Sequence, residues 1–261
     1  MTKPLQGRRI LVTRPAAQAG QLAAMIVERG GETVLFPLIA ISAVDDPLPL
    51  QQTIARLDDY ALAIFISPNA VAFSIPAIRA ARPWPAKLKA AAIGPGTVSQ
   101  LAAEGIAPII VPEERFDSEG LLDRAELQAE RVAGKKVLIL RGYGGREELA
   151  DTLRRRGAQV DALTVYRRSP PANGTFLVSL LRNTPPDALT ISSSEGLRNL
   201  AALLDTENHD DLRRTPVFVP HQRIADVATE LGWRNIVLTR PADAGIIEAL
   251  CAYHWPHHDR N

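Results

Sequence analysis

Residues 137–168, VLILRGYGGREELADTLRRRGAQVDALTVYRR, predict a strand, a glycine-rich turn, a helix and a second strand in succession. The apolar run 137–140 has the length and composition of a buried strand. Acids within 147–151 open the predicted helix and three arginines at 154–156 close it, as the helix macrodipole favours. The turn at 142–145 therefore lies at the carboxyl end of a strand, where open α/β sheets bind ligands.

The same alternation of short apolar strands and helices runs through about ten units of the chain, which predicts parallel sheets. Two segments break this rhythm, residues 36–41 and 165–168, and we interpret both as crossings between domains. The expected fold is α/β, with two Rossmann or flavodoxin-like domains. Residues 42–164 form the domain that is inserted into the other, which is built from 1–35 and 169–261.

Three smaller expectations complete this outline of the chain. A helix begins near Phe116-Asp117-Ser118 and continues to about Glu130. Residues 206–214 are polar and predict a loop, and residues 254–261, HWPHHDRN, predict a tail.

The composition is that of an ordinary globular protein, with 46% hydrophobic and 23% charged residues over 261 positions. A net charge of +1 argues against a general nucleic-acid binder. The one cysteine, Cys251, excludes an internal disulfide and suits a reducing compartment. The first residues lack an apolar signal core and no apolar stretch approaches 18 residues, so we expect a cytoplasmic protein without a membrane span.

Six turns between a strand and the following helix carry small, polar or glycine residues, and they are the candidate ligand sites. Such turns present backbone N–H groups at a helix N-terminus, which attracts anions. Plain helix capping is the alternative for any single turn. No Walker A or GxGxxG pattern supports nucleotide binding. The six turns are Thr13-Arg14, Ser67-Pro68-Asn69, Gly94-Pro95-Gly96-Thr97, Arg141-Gly142, Ser192-Ser193-Ser194 and Pro220-His221-Gln222.

A few side chains in or near these turns are candidates for chemistry. Tyr166, followed by two arginines, is either a hydrogen-bonding or proton-donating group or an aromatic packed at the crossing. Arg14 and Arg141 can pair with carboxylates of a ligand, or are solvated charges or members of local ion pairs. His221 is a candidate base, but nothing nearby completes a catalytic triad, so ordinary helix capping is favoured. No HExxH, GxSxG or CxxC pattern occurs, and we expect no metal site.

Nine stretches distributed along the chain form a recognisable set. They are ILVTRP, FPLI, SPNAVAF, AIGPGT, SEGLL, GKKVLILRGYGGREELADTLRRRGAQV, VYRR, SSSEGLRNL and RIADVATELGW. In this order and spacing they make the chain resemble the uroporphyrinogen-III synthase family along nearly its full length, although each motif alone is weak. One departure is His221-Gln222, where a Ser-Glu or similar pair is expected.

The resemblance implies two α/β domains joined by a two-stranded connector, with the active site in the cleft between them. It implies that linear hydroxymethylbilane loses water and closes to uroporphyrinogen III with ring D inverted, without any cofactor. It also implies a monomer that takes its linear tetrapyrrole by transient handover from hydroxymethylbilane synthase. Tyr166 is then the candidate acid. The expected substrate-binding residues are Thr13, Arg14, Ser67, Asn69, Gly94, Thr97, Arg141, Gly142, Ser192, Ser193 and His221.

Other functions remain open at this point. A two-domain protein that closes on a small anion without catalysis has the same architecture, although the missing signal core argues against an exported sensor. A regulatory relative of the synthases is a second alternative, which a DNA-binding appendage would favour, and none is visible. A sugar-phosphate or nucleotide enzyme can use the same turns.

Overall fold

The computed structural model describes residues 3–144, 147–171, 174–206 and 210–255. The chain divides into two compact units, of which the first comprises Met1–Ala40 and Ser169–Asn261 and the second comprises Ile41–Arg168. In the described part of the chain, no helix is long and apolar enough to cross a membrane.

The strands are β1 Arg9–Val12, β2 Glu32–Leu35, β3 Ala40–Ala43, β4 Tyr60–Phe65, β5 Lys89–Ala92, β6 Ile109–Ile110, β7 Lys136–Gly142, β8 Gln159–Ser169, β9 Ala188–Thr190, β10 Val217–Val219 and β11 Ile236–Leu238. The α-helices are α1 Ala16–Glu28, α2 Leu48–Ala55, α3 Pro68–Ala81, α4 Pro95–Ala103, α5 Ser118–Leu122, α6 Ala129–Val132, α7 Glu148–Arg155, α8 Gly174–Asn183, α9 Ser194–Thr206, α10 Gln222–Glu230 and α11 Ala242–Ala252. Short 3-10 helices cover Leu57–Asp59, Ala125–Leu127 and Asp210–Arg214.

The first unit contains a five-stranded sheet in the order β2-β1-β9-β10-β11, and every pair in it is parallel. Numbered within the unit, this order is 2-1-3-4-5, which is the flavodoxin-like arrangement. Both faces of the sheet are covered. Leu11 packs into the apolar cluster on one face, whereas Ile10 and Val12 pack into the cluster on the other.

The second unit contains a six-stranded mixed sheet in the order β3-β8-β7-β4-β5-β6. Its five strands β4 to β8 are parallel and follow the Rossmann order 3-2-1-4-5, with β3 added at the edge beside β8. Along β7, Val137 and Ile139 face one core while Leu138 and Leu140 face the other. This two-sided burial explains why the strand is an unbroken apolar run. The predicted α/β class is confirmed, with β3 as an edge strand that breaks the parallel pattern.

The prediction of one helix to about Glu130 is wrong. Asp117 caps α5 by accepting a hydrogen bond from the Gly120 amide at 2.7 Å. The chain then leaves helical geometry at Arg124 and again at Gln128. The Gln128 side chain stabilises this break, because its amide donates to the backbone oxygen of Leu122 at 2.9 Å.

Two other expectations need correction. Trp255 is not part of a loose tail, since its ring lies 4.9 Å from that of Tyr253 and 6.4 Å from that of Phe218. Residues 256–261 lie outside the described residues, as does Gly145 of the glycine-rich turn. Within 206–214 the structure has the 3-10 helix Asp210–Arg214, and 207–209 are outside the described residues.

Candidate functional site

The strand order of the second unit identifies where a ligand site is expected. The order reverses between β4 and β7, which are neighbours in the sheet. The crevice at the carboxyl ends of two such strands is the usual ligand site of open α/β sheets. Ser67 follows β4 and Gly142 ends β7, so two of the predicted site residues lie at this point.

Tyr166 joins these two residues from the adjacent strand β8. It is the register partner of Gly142, after a shift in register between Arg141 and Gly142. The phenol ring occupies the space that a side chain at position 142 would need, and its hydroxyl lies 3.0 Å from Oγ of Ser67. The structure therefore brings together Ser67, Gly142 and Tyr166, although 99 positions separate Ser67 from Tyr166.

The surroundings of Tyr166 combine packing and charge. The side chain is only 2% exposed, and its ring stacks on Phe73 of α3 with 6.1 Å between centroids. The guanidinium carbon of Arg168 lies 5.8 Å from the Tyr166 ring centroid, and Nη2 of Arg168 makes a long 3.4 Å hydrogen bond to the hydroxyl. Tyr166 is thus packed as a core aromatic while its hydroxyl keeps polar neighbours. Arg167 points elsewhere and pairs with Asp45.

The helices α3 and α4 differ in whether a side chain caps their first amide groups. Oγ of Ser67 accepts from the Ala70 amide at 3.2 Å, so the serine caps α3. Gly94 precedes α4 and provides no side-chain cap, and Thr97 in the first turn of α4 is 2% exposed. Asn69 is half-buried in the first turn of α3. Pro95 has no N–H and the Thr97 amide donates to the backbone oxygen of Gly94 at 3.0 Å, so the start of α4 offers the Gly96 amide to a ligand.

Arg141 lies on β7 next to Gly142, but its side chain is placed apart from Tyr166. It forms an ion pair of 2.5 Å with Glu147. Arg141 also lines a cavity of about 250 Å³ together with Asp117 and Ser118, among the side chains of the opposite sheet face. The hydrogen bond from the Gly120 amide, ahead of the charge of Arg115, holds the pKa of Asp117 below its ordinary value.

In the first unit, the strand order reverses between β1 and β9. Thr13 follows β1, and Ser192 and Ser193 follow β9, so these predicted residues also lie at a switch point. Oγ1 of Thr13 donates to the backbone oxygen of Thr190 at 2.7 Å, and Oγ of Ser193 accepts from the Gly196 amide at 2.9 Å. Both hydroxyl groups therefore form hydrogen bonds within the first unit and contribute to its structure.

Arg14 and His221 complete the predicted set. The guanidinium of Arg14 is ion-paired with Asp243, and both side chains are largely buried, at 16% and 14% exposure. The buried pairing with Asp243 favours the interpretation of Arg14 as a member of a local ion pair. His221 precedes α10 and is exposed, and the capping favoured from the sequence is not seen, because its side chain makes no capping hydrogen bond. Like α4, α10 therefore begins without a side-chain cap on its first amides.

The described residues contain no cluster of three or more histidine, cysteine or acidic side chains that can hold a metal ion. Cys251 is half-buried, and desolvation raises the pKa of its thiol, which makes it less reactive as a nucleophile. The site residues offer hydrogen bonding through hydroxyl groups, backbone amides and one phenol, together with two guanidinium groups and the imidazole of His221.

Two aromatic residues near the switch point of the second unit, Phe73 and Tyr143, are not predicted as site residues by the sequence. Phe73 supports the Tyr166 ring, and its place within the SPNAVAF stretch is the only signal for it. Tyr143 is 81% exposed and follows Gly142, while its amide donates to the backbone oxygen of Tyr166 at 3.0 Å. An exposed aromatic ring beside a glycine in a ligand-facing turn could have marked Tyr143.

Comparison with known proteins identifies the family. A family model described as uroporphyrinogen-III synthase HemD matches residues 20–248. The uroporphyrinogen-III synthase of Salmonella typhimurium is 34% identical over 90% of this chain and 96% of its own length. The Escherichia coli enzyme is 33% identical over the same shares of both chains.

Solved structures agree at the level of the fold. A mutant uroporphyrinogen III synthase from Thermus thermophilus superposes with a TM-score of 0.58 at 19% identity, covering 93% of this chain and 97% of the other. The enzyme from Helicobacter pylori gives a TM-score of 0.56 at 15% identity, over 92% and 97%. With the match to the family model and the two bacterial relatives, these findings show that the chain belongs to the uroporphyrinogen-III synthase family.

Proposed function

We infer that this chain is a uroporphyrinogen-III synthase, an enzyme of tetrapyrrole biosynthesis. It converts linear hydroxymethylbilane to uroporphyrinogen III, with loss of water and inversion of ring D. The observation that carries this conclusion is the match over 90% of the chain and 96% of a curated synthase at 34% identity. The alternatives of a non-catalytic anion binder and a nucleotide enzyme have no comparable support.

The contacts of Tyr166 support a role for this residue in the loss of the hydroxyl group. A positioned phenol can donate a proton to a leaving hydroxyl and so assist its departure as water. The 3.0 Å contact with Ser67 gives the Tyr166 hydroxyl a partner that follows β4 at the switch point. The guanidinium of Arg168 interacts favourably with negative charge on that oxygen. Ser67 and Tyr166 form the pair that we assign to proton donation.

The substrate carries eight acetate and propionate carboxylates, and backbone amides are the groups we assign to most of them. The Gly96 amide in the first turn of α4, where Pro95 has no N–H, and the first amides of α10, after His221, have no side-chain cap. Helix starts of this kind bind carboxylates through N–H groups and the helix dipole. Arg14 and Arg141, which here pair with Asp243 and Glu147, are the cationic members of the proposed set. The polar groups of Thr13, Asn69, Thr97, Gly142, Ser192 and Ser193 complete the proposed binding set.

This division of roles fits the chemistry of the reaction. Loss of water produces a reactive azafulvene, which closes without further activation, so the enzyme must select which carbon is attacked. Positioning supplies that selection, since holding the reacting groups in one geometry excludes the wrong closure. Many moderate contacts serve this purpose better than one dominant contact. We propose that the protein acts as a cytoplasmic monomer and receives its substrate by transient handover from hydroxymethylbilane synthase.

A coupled assay tests the proposed function. Hydroxymethylbilane is generated in situ by its synthase, with and without this protein, and the oxidised products are separated by isomer. Predominant isomer III is the expected result. Isomer I alone, formed at the uncatalysed rate in the presence of folded protein, would overturn the assignment and favour a ligand binder.

A further inference from the structure

Two adjoining cavities lie in the second unit, away from the residues discussed so far. The larger measures about 690 Å³ and is mostly apolar, with Trp84, Leu88 and Ile106 among its walls. The smaller measures about 520 Å³. Its cationic side chains are those of Lys87, Lys89, Arg131 and Lys135. Both cavities share Lys87, Lys89, Ile110 and Glu126, so they adjoin, and together they form a recess whose larger part is mostly apolar and whose smaller part is the more basic.

This recess is at the amino-terminal edge of the sheet. Lys89 is the first residue of β5, and Val137, which lines the smaller cavity, is the second residue of β7. Gly142, at the switch point, is the last residue of the same seven-residue strand. A strand of this length spans roughly 20 Å at about 3.3 Å per residue. The recess is therefore distinct from the candidate synthase site.

The charge of the recess is strongly positive. Within the described residues, none of the four cations of the smaller cavity forms an ion pair within 4 Å, although Lys89 interacts electrostatically with Glu126, the acid that lines both cavities. Arg124, which lines the larger cavity, is balanced locally by Glu113 and by Glu126, the latter at 3.5 Å. Cations gathered in a concave surface raise the local concentration of anions. An anionic ligand is consequently the class that this surface favours.

The apolar end of the recess is preformed. The indole N–H of Trp84 donates to the backbone oxygen of Leu88 at 3.0 Å, and the Trp84 ring lies 6.1 Å from that of Phe65. These contacts fix the indole as a wall of the cavity. Small-molecule sites commonly combine such an apolar pocket with a few convergent polar groups. A planar apolar body fits this end and its charged substituents fit the other.

We propose that this recess binds a small organic polycarboxylate with a planar, apolar body. The body lies in the larger cavity beside Trp84. Its carboxylates reach the smaller cavity, where Lys89 and Lys135 bind them. The site does not depend on the synthase reaction, because it shares no residue with the proposed catalytic set.

Titration calorimetry with benzene-1,3,5-tricarboxylate tests this proposal on the full chain. Saturable binding of one molecule is expected, and it weakens as salt is added. The variant Lys89→Gln/Lys135→Gln should bind about tenfold more weakly, because two charge pairs are lost. The control variant Lys136→Gln should bind as the wild type does, since Lys136 pairs with Asp59 at 3.0 Å and does not line the recess.

A second measurement keeps the test independent of the lysine variants. The tricarboxylate should change the tryptophan fluorescence of the wild type, and Trp84→Phe should remove most of that change. Absence of saturable binding to the wild type would overturn the proposal. Equal binding by Lys89→Gln/Lys135→Gln and Lys136→Gln would also overturn it, as would a fluorescence change that Trp84→Phe leaves intact.

Discussion

Gly142 and Tyr166 approach so closely that a Cβ atom at position 142 would lie 2.5 Å from Cζ of the tyrosine. The two residues are register partners on β7 and β8, so neither strand can move away without breaking the sheet. Glycine at position 142 is therefore a condition for placing the Tyr166 ring. Glycine is required at position 142 because the Tyr166 ring fills the space of a side chain, and not because of the backbone conformation at that position.

Gly142→Ala should displace the Tyr166 ring and lower both stability and activity. Overpacking of this kind costs about 1–3 kcal/mol in the free energy of unfolding. Urea unfolding and the coupled isomer assay measure the two effects. Gly20→Ala is the matched control, because nothing lies within 4 Å of the added methyl group in α1. That control should be neutral or slightly more stable. Wild-type stability in Gly142→Ala would contradict the tight packing described here.

Ser67→Ala should destabilise the protein more than Ser193→Ala does. Ser67→Ala removes the 3.2 Å hydrogen bond that caps the Ala70 amide and the 3.0 Å contact with the Tyr166 hydroxyl. That hydroxyl is then buried without its Ser67 partner. Ser193 loses only a 2.9 Å cap to the Gly196 amide. The expected losses are about 2–3 kcal/mol and about 1 kcal/mol, respectively. Denaturant midpoints of the two variants give the comparison, and the reverse order would refute it.

The limits of sequence-based prediction can be seen at these residues. The apolar runs predict the strands, because both faces of each sheet are buried. The glycine at position 142 predicts the turn at 142–145, because glycine is typical of turns. The meeting of Ser67 with Tyr166 depends on the order β4-β7-β8, which no local pattern contains. In the same way, Arg14 is predictable as a turn residue, whereas its partner Asp243 is 229 positions away.

Capping shows a second limit. The sequence predicts that Ser, Thr and Asn begin helices, yet it does not say which helix starts remain uncapped. The structure separates Ser67, which caps α3, from Gly94, which leaves α4 without a side-chain cap. It also breaks the helix expected to continue to about Glu130, because the side chain of Gln128 binds backbone oxygens that a longer helix would use.

Asp117→Asn should reveal a contribution to stability that depends on pH. The hydrogen bond from the Gly120 amide lowers the pKa of Asp117 in the folded state. A lowered pKa means that the stabilising effect is present above the unfolded pKa of about 3.9 and is lost as pH falls through the folded value. The wild type should therefore be more stable than Asp117→Asn at pH 7, and this difference should disappear in acid. A difference that stays constant between pH 7 and pH 2 would contradict this origin.

Trp255→Ala should lower stability although the residue lies close to the end of the chain. Its ring packs on Phe218 and Tyr253, and the guanidinium carbon of Arg8 lies 5.2 Å from the Trp255 ring centroid. Loss of these contacts is expected to cost about 2 kcal/mol. His254→Ala is the control, because that side chain is exposed. Equal thermal midpoints for the two variants would show that residue 255 is loosely held after all.

The measurement that tests the proposed mechanism most directly is the rate of isomer III formation by Tyr166→Phe in the coupled assay. Phenylalanine keeps the ring above Gly142 and against Phe73, and it removes only the hydroxyl that contacts Ser67. Circular dichroism and the thermal midpoint establish that the variant is folded. Proton donation by Tyr166 predicts a rate at least about 100-fold below that of the wild type. A folded variant that forms isomer III at the wild-type rate would contradict the assignment of Tyr166 to the reaction.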